Sequence, residues 1–333
     1  MPLDKNQIKT LAIIGPRADE VLLDWYSGTP PYRVTPLEGI RNKVGENVQI
    51  LTAENNADGK AAEIAAKADV AIVLVGNHPS CDAGWADCPV PSEGKESVDR
   101  QSLSLEYEDL IKVVHQANEN TVVVLISSFP YAINWTEENV PAIVHLTQNS
   151  QELGNGLADV LFGDYNPAGR LTQTWVESIT DLPPLMDYNI RNGRTYMYFE
   201  GDPLYAFGHG LSYTDFRYEG IQVDKNILMD GETATVKVDI RNTGKMDGEE
   251  VIQLYVKHLD SSVERPIKEL NGFRRVKVPA GKTVTVDLPL NAEDLKYWNV
   301  NTQQFELENG KIEIQVGGAS DKISQTKTIN IQK

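Results

Sequence analysis

The sequence predicts an α/β unit, a mostly parallel sheet flanked by helices, followed by an all-β sandwich. Three observations carry this. Short apolar runs alternate with amphipathic stretches through the first half, the hydrophobic period changes to two from about Asp230, and 333 residues exceed what one ordinary core accommodates.

The apolar runs lie at 10–15, 69–76 and 121–126, with a weaker fourth at 142–146. Strands buried on both faces have no polar side to show, so continuous runs of this length predict parallel strands. Residues 151–163 follow with apolar spacing that suits a helix ending at Gly163, and further helices are expected at 58–67 and 104–118. Strand alternating with helix implies right-handed crossovers. In such sheets ligands collect at the carboxyl ends of the strands, which directs attention to the segments after Gly15, Gly76 and Ile126. The stretch 77–100 is long for a strand-to-helix loop, and long ordered loops in compact domains usually carry function.

In the second half, Ala234, Val236, Val238 and Ile240 alternate with polar residues, as do Val284, Val286 and Leu288, and Ile312, Ile314 and Val316. Glycine-containing turns separate them, which predicts a small antiparallel sandwich with 251–256 as a central strand. The join is rich in Pro, Gly and Tyr and reads as an ordered linker. The expected organisation is an α/β domain over 1–178, a linker over 179–215 and a β-sandwich over 216–333.

Composition removes several functions. The net charge is −17 with no Lys/Arg cluster, so a nucleic-acid partner is disfavoured. The N-terminus lacks a basic start followed by an apolar run, and no segment is apolar for the width of a bilayer, so no membrane partner is expected. Localisation stays open, secreted or periplasmic if a longer precursor carries a signal peptide. Cys81 and Cys88, in Cys-x6-Cys spacing, are equally compatible with a disulfide and with two thiols. With His78 they give three ligands at awkward spacing for zinc, and no metal is expected. Neither Gly15 nor Gly76 opens a nucleotide-binding pattern, and Ser127-Ser128 lacks a nucleophile elbow, so no organic cofactor and no serine hydrolase is expected.

The densest carboxylate cluster is Ser92-Glu93-Gly94-Lys95-Glu96-Ser97-Val98-Asp99-Arg100, just before an amphipathic helix. A glycosidase needs a protonated carboxyl near the leaving oxygen and a second carboxylate across the bond. Glu93 or Glu96 could supply the acid, while Asp99 and Arg100 pin the loop. The plainer reading is a set of solvated acids at a helix start, favoured there by the helix dipole. Trp85 is a candidate sugar platform, since carbohydrate CH faces pack on aromatic rings, or equally a buried anchor. His78, just past a strand end, is a candidate sugar contact or a structural histidine.

The segment from Glu93 through Asp99-Arg100 to Leu103-Ser104-Leu105 resembles the second domain of glycoside hydrolase family 3, where a loop carries a Glu-Gly-type acid/base followed by Asp-Arg and Leu-x-Leu. Ile13-Ile14-Gly15-Pro16-Arg17-Ala18-Asp19 is similar to that domain's opening strand, and Tyr26-Ser27-Gly28-Thr29-Pro30 through Thr35-Pro36-Leu37-Glu38-Gly39-Ile40 to its first loop. Downstream, 159–171 and 204–216 are similar to the end of the α/β sandwich and the entry to a fibronectin type III-like domain. The Glu-Gly register points to Glu93. Counting back from Asp99-Arg100 points to Glu96, which is preferred because Asp-Arg fixes the end of the loop.

The resemblance implies the C-terminal half of a retaining β-glycosidase of β-glucosidase or β-xylosidase type, acting on a β-linked oligosaccharide or aryl glycoside without a cofactor. In that family the nucleophilic aspartate belongs to an N-terminal barrel, and Pro2-Leu3-Asp4-Lys5 is similar to the linker that precedes domain two. The expectation is a fragment, processed chain or separate subunit that is inactive without its barrel. The alternative is a non-catalytic carbohydrate-binding or scaffold chain.

Overall fold

The computed structural model describes residues 1–23, 26–80, 94, 99–148 and 150–333. The chain divides into two compact units, Met1–Tyr165 with Val176–Ile179, and Asn166–Trp175 with Thr180–Lys333.

In the first unit β1 (Thr10–Ile14), β2 (Gln49–Ala53), β3 (Val70–Gly76), β4 (Thr121–Ile126) and β5 (Ala142–Leu146) form one sheet in the order β2-β1-β3-β4-β5. Every pairing in it is parallel. Its helices are α1 (Pro36–Val44), α2 (Lys60–Ala65), α3 (Glu108–Ala117), α4 (Asn134–Asn139) and α5 (Leu153–Leu161). All four strands expected from apolar runs are present. β3 and β4 are buried along their whole length, which is why they read as unbroken apolar segments.

Three elements had no such signal. β2 is an edge strand with no fully buried residue, Gln49 and Thr52 exposed and the others half-buried, so its sequence QILTA carries no long apolar run. α1 starts at a capping box, with the Thr35 hydroxyl accepting from the Glu38 N–H at 3.2 Å, the Glu38 carboxylate accepting from the Thr35 N–H at 2.9 Å, and Pro36 in the first turn. α4 is a six-residue turn of helix with only Thr136 buried. The helix expected at 58–67 shortens to α2 because Asp58 takes a left-handed φ of 52°, which a continuous right-handed helix does not tolerate.

The two faces of the sheet follow from alternation. Leu11, Ile13, Ile72, Leu74, Val122, Val124 and Ile126 form one core with Leu37 and Ile40 of α1 and Leu153, Leu157 and Leu161 of α5. The intervening residues face the other way, where α2 and α3 pack together. α1 and α5 cross with no side chain between them. A Cβ on Gly39 would lie 2.1 Å from the Gly154 carbonyl, and one on Gly154 1.9 Å from the Thr35 oxygen. Lys43 of α1 closes the far end of the contact by pairing with Asp159 and, at 2.6 Å, with Asp164.

The second unit is a sandwich. β6 (Phe216–Val223), β7 (Ile227–Met229), β8 (Thr233–Asn242), β9 (Gly248–His258), β10 (Glu269–Val278) and β11 (Thr283–Asn291) are followed by β12 (Tyr297–Asn299), β13 (Gln304–Glu306), β14 (Gly310–Gly317) and β15 (Ile323–Gln332). One sheet runs β10-β9-β14-β15-β7 and the other β11-β8-β6, with β12 and β13 as a separate hairpin. The expected alternation is the core: Ala234, Val236, Val238 and Ile240 of β8 face Ile252, Leu254 and Val256 of β9 and Ile312, Ile314 and Val316 of β14. β9 is central, as its apolar run implied, and β7 departs from the antiparallel scheme by pairing parallel to β15. The stretch before β6 is fastened to the same unit. Arg170 pairs with the buried Glu250 at 3.0 Å, Gln253 donates to the Gly208 carbonyl at 3.2 Å, and Tyr196 stacks on Phe207 at 4.4 Å.

Candidate functional site

Sheet order fixes where a site can form. The chain leaves β1 through α1 to reach β2 on one side, then crosses back through α2 to β3 on the other, so β1 and β3 flank the point where the winding reverses. Loops leaving the carboxyl ends of such neighbouring strands diverge and open a crevice between them. A cleft of about 710 Å³ lies there, lined by Asp19, Glu20, Tyr32, Arg33, Glu38 and His78 among others. Beneath it the buried Arg17 joins the two strand ends. Its Nε donates to the Gly76 carbonyl at 3.4 Å and its Nη1 to Glu20 at 2.7 Å. The Thr35 hydroxyl donates to Asp19 at 2.8 Å, so the same residue caps α1 and positions a carboxylate in the cleft wall.

His78, picked out as a possible sugar contact, lines this cleft. Its Nδ1 accepts the Ser80 N–H at 3.0 Å, which places the proton of the neutral ring on Nε2. A cleft walled by carboxylates, a guanidinium, an imidazole and a phenol suits a neutral, hydroxyl-rich ligand that both donates and accepts hydrogen bonds. Among the described residues no group of His, Cys, Asp and Glu is arranged to hold a metal.

On the β4 side the loop 127–131 gathers polar partners. Asn77, buried and immediately after β3, accepts the Ser128 N–H at 2.9 Å and donates to the Ser128 hydroxyl at 3.4 Å. Gln148, beyond β5, also donates to that hydroxyl. Ser127 is fully buried, with its hydroxyl 3.1 Å from both the Phe129 carbonyl and the His145 Nε2. A hydroxyl has one proton. Given to Phe129, it leaves the oxygen to accept from His145, so the neutral Nε2–H tautomer is assigned there. Burial pushes the His145 pKa below its ordinary value, against a smaller opposing effect of the Ser127 hydrogen bond, and so favours the uncharged ring.

Arg100 reaches the same loop from the other end of the 77–100 segment. Its guanidinium lies 3.9 Å from the Phe129 ring centre and 4.7 Å from that of Tyr131, and Nη1 donates to the Pro130 carbonyl at 2.9 Å. Burial lowers its pKa from the usual range, yet a guanidinium stays charged. Gly94 rests against both side chains. A Cβ there would meet Arg100 Cγ at 2.7 Å and the Phe129 ring at 3.3 Å. Asp99, expected to help hold the loop, is exposed, and its carbonyl accepts from Gln101 at 3.5 Å. Glu93, Glu96, Trp85, Cys81 and Cys88 lie outside the described residues.

Sequence reading missed Asn77, Ser128 and Phe129. The only local signal was their position at the ends of the third and fourth apolar runs. Asn77 and Ser128 are 51 residues apart, and nothing in either segment announces the other.

A doubly wound parallel domain followed by a β-sandwich defines the class, an α/β unit joined to an all-β unit. Residues 1–213 match the glycosyl hydrolase family 3 C-terminal domain, and 250–320 the fibronectin type III-like domain. The chain belongs to glycoside hydrolase family 3. It is 34% identical to a β-xylosidase of Formosa agariphila over 99% of this chain and 47% of that protein. It is 32% identical to thermostable β-glucosidase B of Acetivibrio thermocellus, over 99% of this chain and 45% of that protein. Among solved structures, the β-D-glucoside glucohydrolase of Trichoderma reesei superposes with a TM-score of 0.86 at 27% identity, over 99% of this chain and 52% of that one. The chain thus spans about half the length of these relatives.

Proposed function

We propose that this chain supplies the general acid/base and part of the sugar site of a retaining β-glycosidase of β-glucosidase or β-xylosidase type. The observation that carries the reading is the fastening of Gly94 and Arg100 onto Phe129. Gly94 stands between the two candidate acids in sequence and packs against Arg100 and Phe129, next to the carboxyl end of β4. Glu96, with Glu93 as the alternative, protonates the leaving oxygen and then activates water. An aspartate of an N-terminal barrel half attacks the anomeric carbon, and two displacements retain configuration.

The substrate class is a β-linked glucoside or xyloside, in keeping with the names of the relatives and with the polar cleft beside His78. Neither a metal nor an organic cofactor enters the chemistry. The nucleophile is assigned to the barrel half, so the isolated chain is proposed to bind sugar at most.

The test is a Glu93→Gln/Glu96→Gln variant in an active enzyme that joins this chain to a barrel half. Hydrolysis of glycosides with poor leaving groups should fall by ~10²–10⁴-fold, whereas turnover of an activated dinitrophenyl glycoside, slowed at the second displacement, should recover with azide, which attacks the covalent intermediate without a base and yields the glycosyl azide. Full activity of the double variant would sink the acid/base assignment. The isolated chain should not turn over nitrophenyl glycosides, and sustained hydrolysis by it would sink the assignment of the nucleophile elsewhere.

A further inference from the structure

We infer that Asn77 and Ser128 are positioning residues for the acid/base step, holding the start of the 77–100 segment to the same loop that holds its end. The inference rests on the proposed function and extends it to residues that touch no substrate. Two separate sets of contacts meet on residues 127–131. Asn77, the first residue after β3, grips Ser128 through both halves of its carboxamide, accepting the backbone N–H at 2.9 Å and donating to the hydroxyl at 3.4 Å. Arg100, the last residue of the segment, lies on Phe129 and donates to the Pro130 carbonyl.

The loop that receives both ends is itself held from below. The Ser127 hydroxyl bonds to the Phe129 carbonyl and His145, and Gln148 bonds to the Ser128 hydroxyl. Asn77 joins the β3 end to this loop while His145 and Gln148 join it to β5, so β3, β4 and β5 are tied near their carboxyl termini by side chains in addition to the ladder between them. Asn77 is 1% exposed and Ser127 is fully buried. Polar groups so deep are costly to bury unless bonded, and their bonds are correspondingly rigid.

The chemistry of Asn77 is specific. An aspartate there keeps the acceptor, loses the donor and adds a buried charge, while an alanine leaves the Ser128 N–H without its acceptor. Fixing one end of a 24-residue stretch, counted from 77 to 100, leaves the other free to swing. Asn77 and Arg100 bound the stretch of sequence that carries both candidate acids, and a displacement of about 1 Å at a reacting group can cost ~10²-fold in rate.

The experiment compares Asn77→Ala and Ser128→Ala in the active enzyme on two aryl β-glycosides, one with a dinitrophenyl and one with a phenyl leaving group. Dinitrophenolate departs with little protonation, whereas phenolate depends on the acid. The expected result is a fall of ~10-fold or more in kcat/KM for the phenyl glycoside with less than ~3-fold for the dinitrophenyl one, by the same effective-molarity argument. Equal losses on both substrates, or none on either, would overturn the inference, since a merely structural defect does not sort substrates by leaving group. Ser128→Ala retains the backbone N–H that Asn77 accepts and is the milder change, so it decides alone should Asn77→Ala not fold. The Glu93→Gln/Glu96→Gln variant run beside them separates the two ideas. If it sorts the substrates and the positioning variants do not, only the positioning role fails. If it does not sort them, the acid/base assignment fails first.

Discussion

Gly39 of α1 packs directly on the backbone of Gly154 of α5: a Cβ on Gly39 would overlap the Gly154 carbonyl, and one on Gly154 would overlap the carbonyl of Thr35, the cap of α1. Tertiary packing chose glycine here against its helix propensity, because any side chain would force the two helices apart and open the core formed by Leu37, Ile40, Leu153 and Leu157. Gly154→Ala should therefore destabilise the first unit by about 1–3 kcal/mol or more, the usual cost of overpacking. Urea unfolding followed by a probe in that unit should show it, and an unchanged midpoint would contradict the close approach.

Arg100 is held by a plane and a direction as well as by charge, stacked on Phe129 while donating to Pro130. Arg100→Lys keeps the charge but not the planar fork, so it should behave more like Arg100→Ala than like wild type. The expected readout is faster amide exchange across residues 127–131 in both variants. Wild-type protection in Arg100→Lys would show that charge alone suffices.

Glu250 is buried in the sandwich with Arg170 at 3.0 Å and the Tyr218 hydroxyl donating at 3.2 Å. Desolvation raises its pKa, and Arg170 and then Tyr218 oppose that rise. Removing one partner of such a pair strands the other, at a cost of about 3–5 kcal/mol. Arg170→Ala should thus be far more damaging than the double change Arg170→Met/Glu250→Leu. A thermal-melt comparison of the single and double variants tests this, and equal damage from both would argue against a coupled pair.

His258, at the end of β9, has its pKa lowered to about 4, first by burial and then by the charge of Arg265, with Glu308 acting the other way. An unfolded histidine titrates near ~6.5, so between about 6.5 and 4 the unfolded chain holds the extra proton. Stability from this site is therefore complete above about 6.5 and is lost as pH falls toward 4, with a slope no steeper than ~1.4 kcal/mol per pH unit. Histidine replaced by asparagine should flatten the acid limb of unfolding for the second unit. An identical pH profile in His258→Asn would remove the histidine from the explanation.

The legibility of the fold follows burial. β3 and β4, enclosed on both faces, declared themselves as apolar runs, and the sandwich strands declared themselves by alternation. β2, on the edge and half-exposed, had no pattern to declare. α1 was readable in principle, since Thr35-Pro36-Leu37-Glu38 is a capping box with proline in the first turn, but the feature is four residues long and its apolar face is narrow. The site was legible in a different way. The carboxylate cluster and Arg100 stood out by composition and position, and Arg100 stacks on Phe129 and bonds to the Pro130 carbonyl. Its partners Phe129 and Pro130 come from a loop some thirty residues away, brought near by the parallel pairing of β3 with β4. Side-chain pairing across a crossover leaves no local imprint, which is why the pairing of Asn77 with Ser128 could not be read from either segment.

The division of the chain into units has a practical side. The polypeptide passes from the first unit to the second at 165/166, returns at 175/176 and leaves again at 179/180. No single cleavage can release either unit whole. A truncation beginning at Phe216 would carry Glu250 into the sandwich interior with Arg170 left behind, and one ending at Tyr165 would lose the returning stretch Val176–Ile179. The two halves are stitched by their own backbone, so any dissection of this protein must choose which unit to damage.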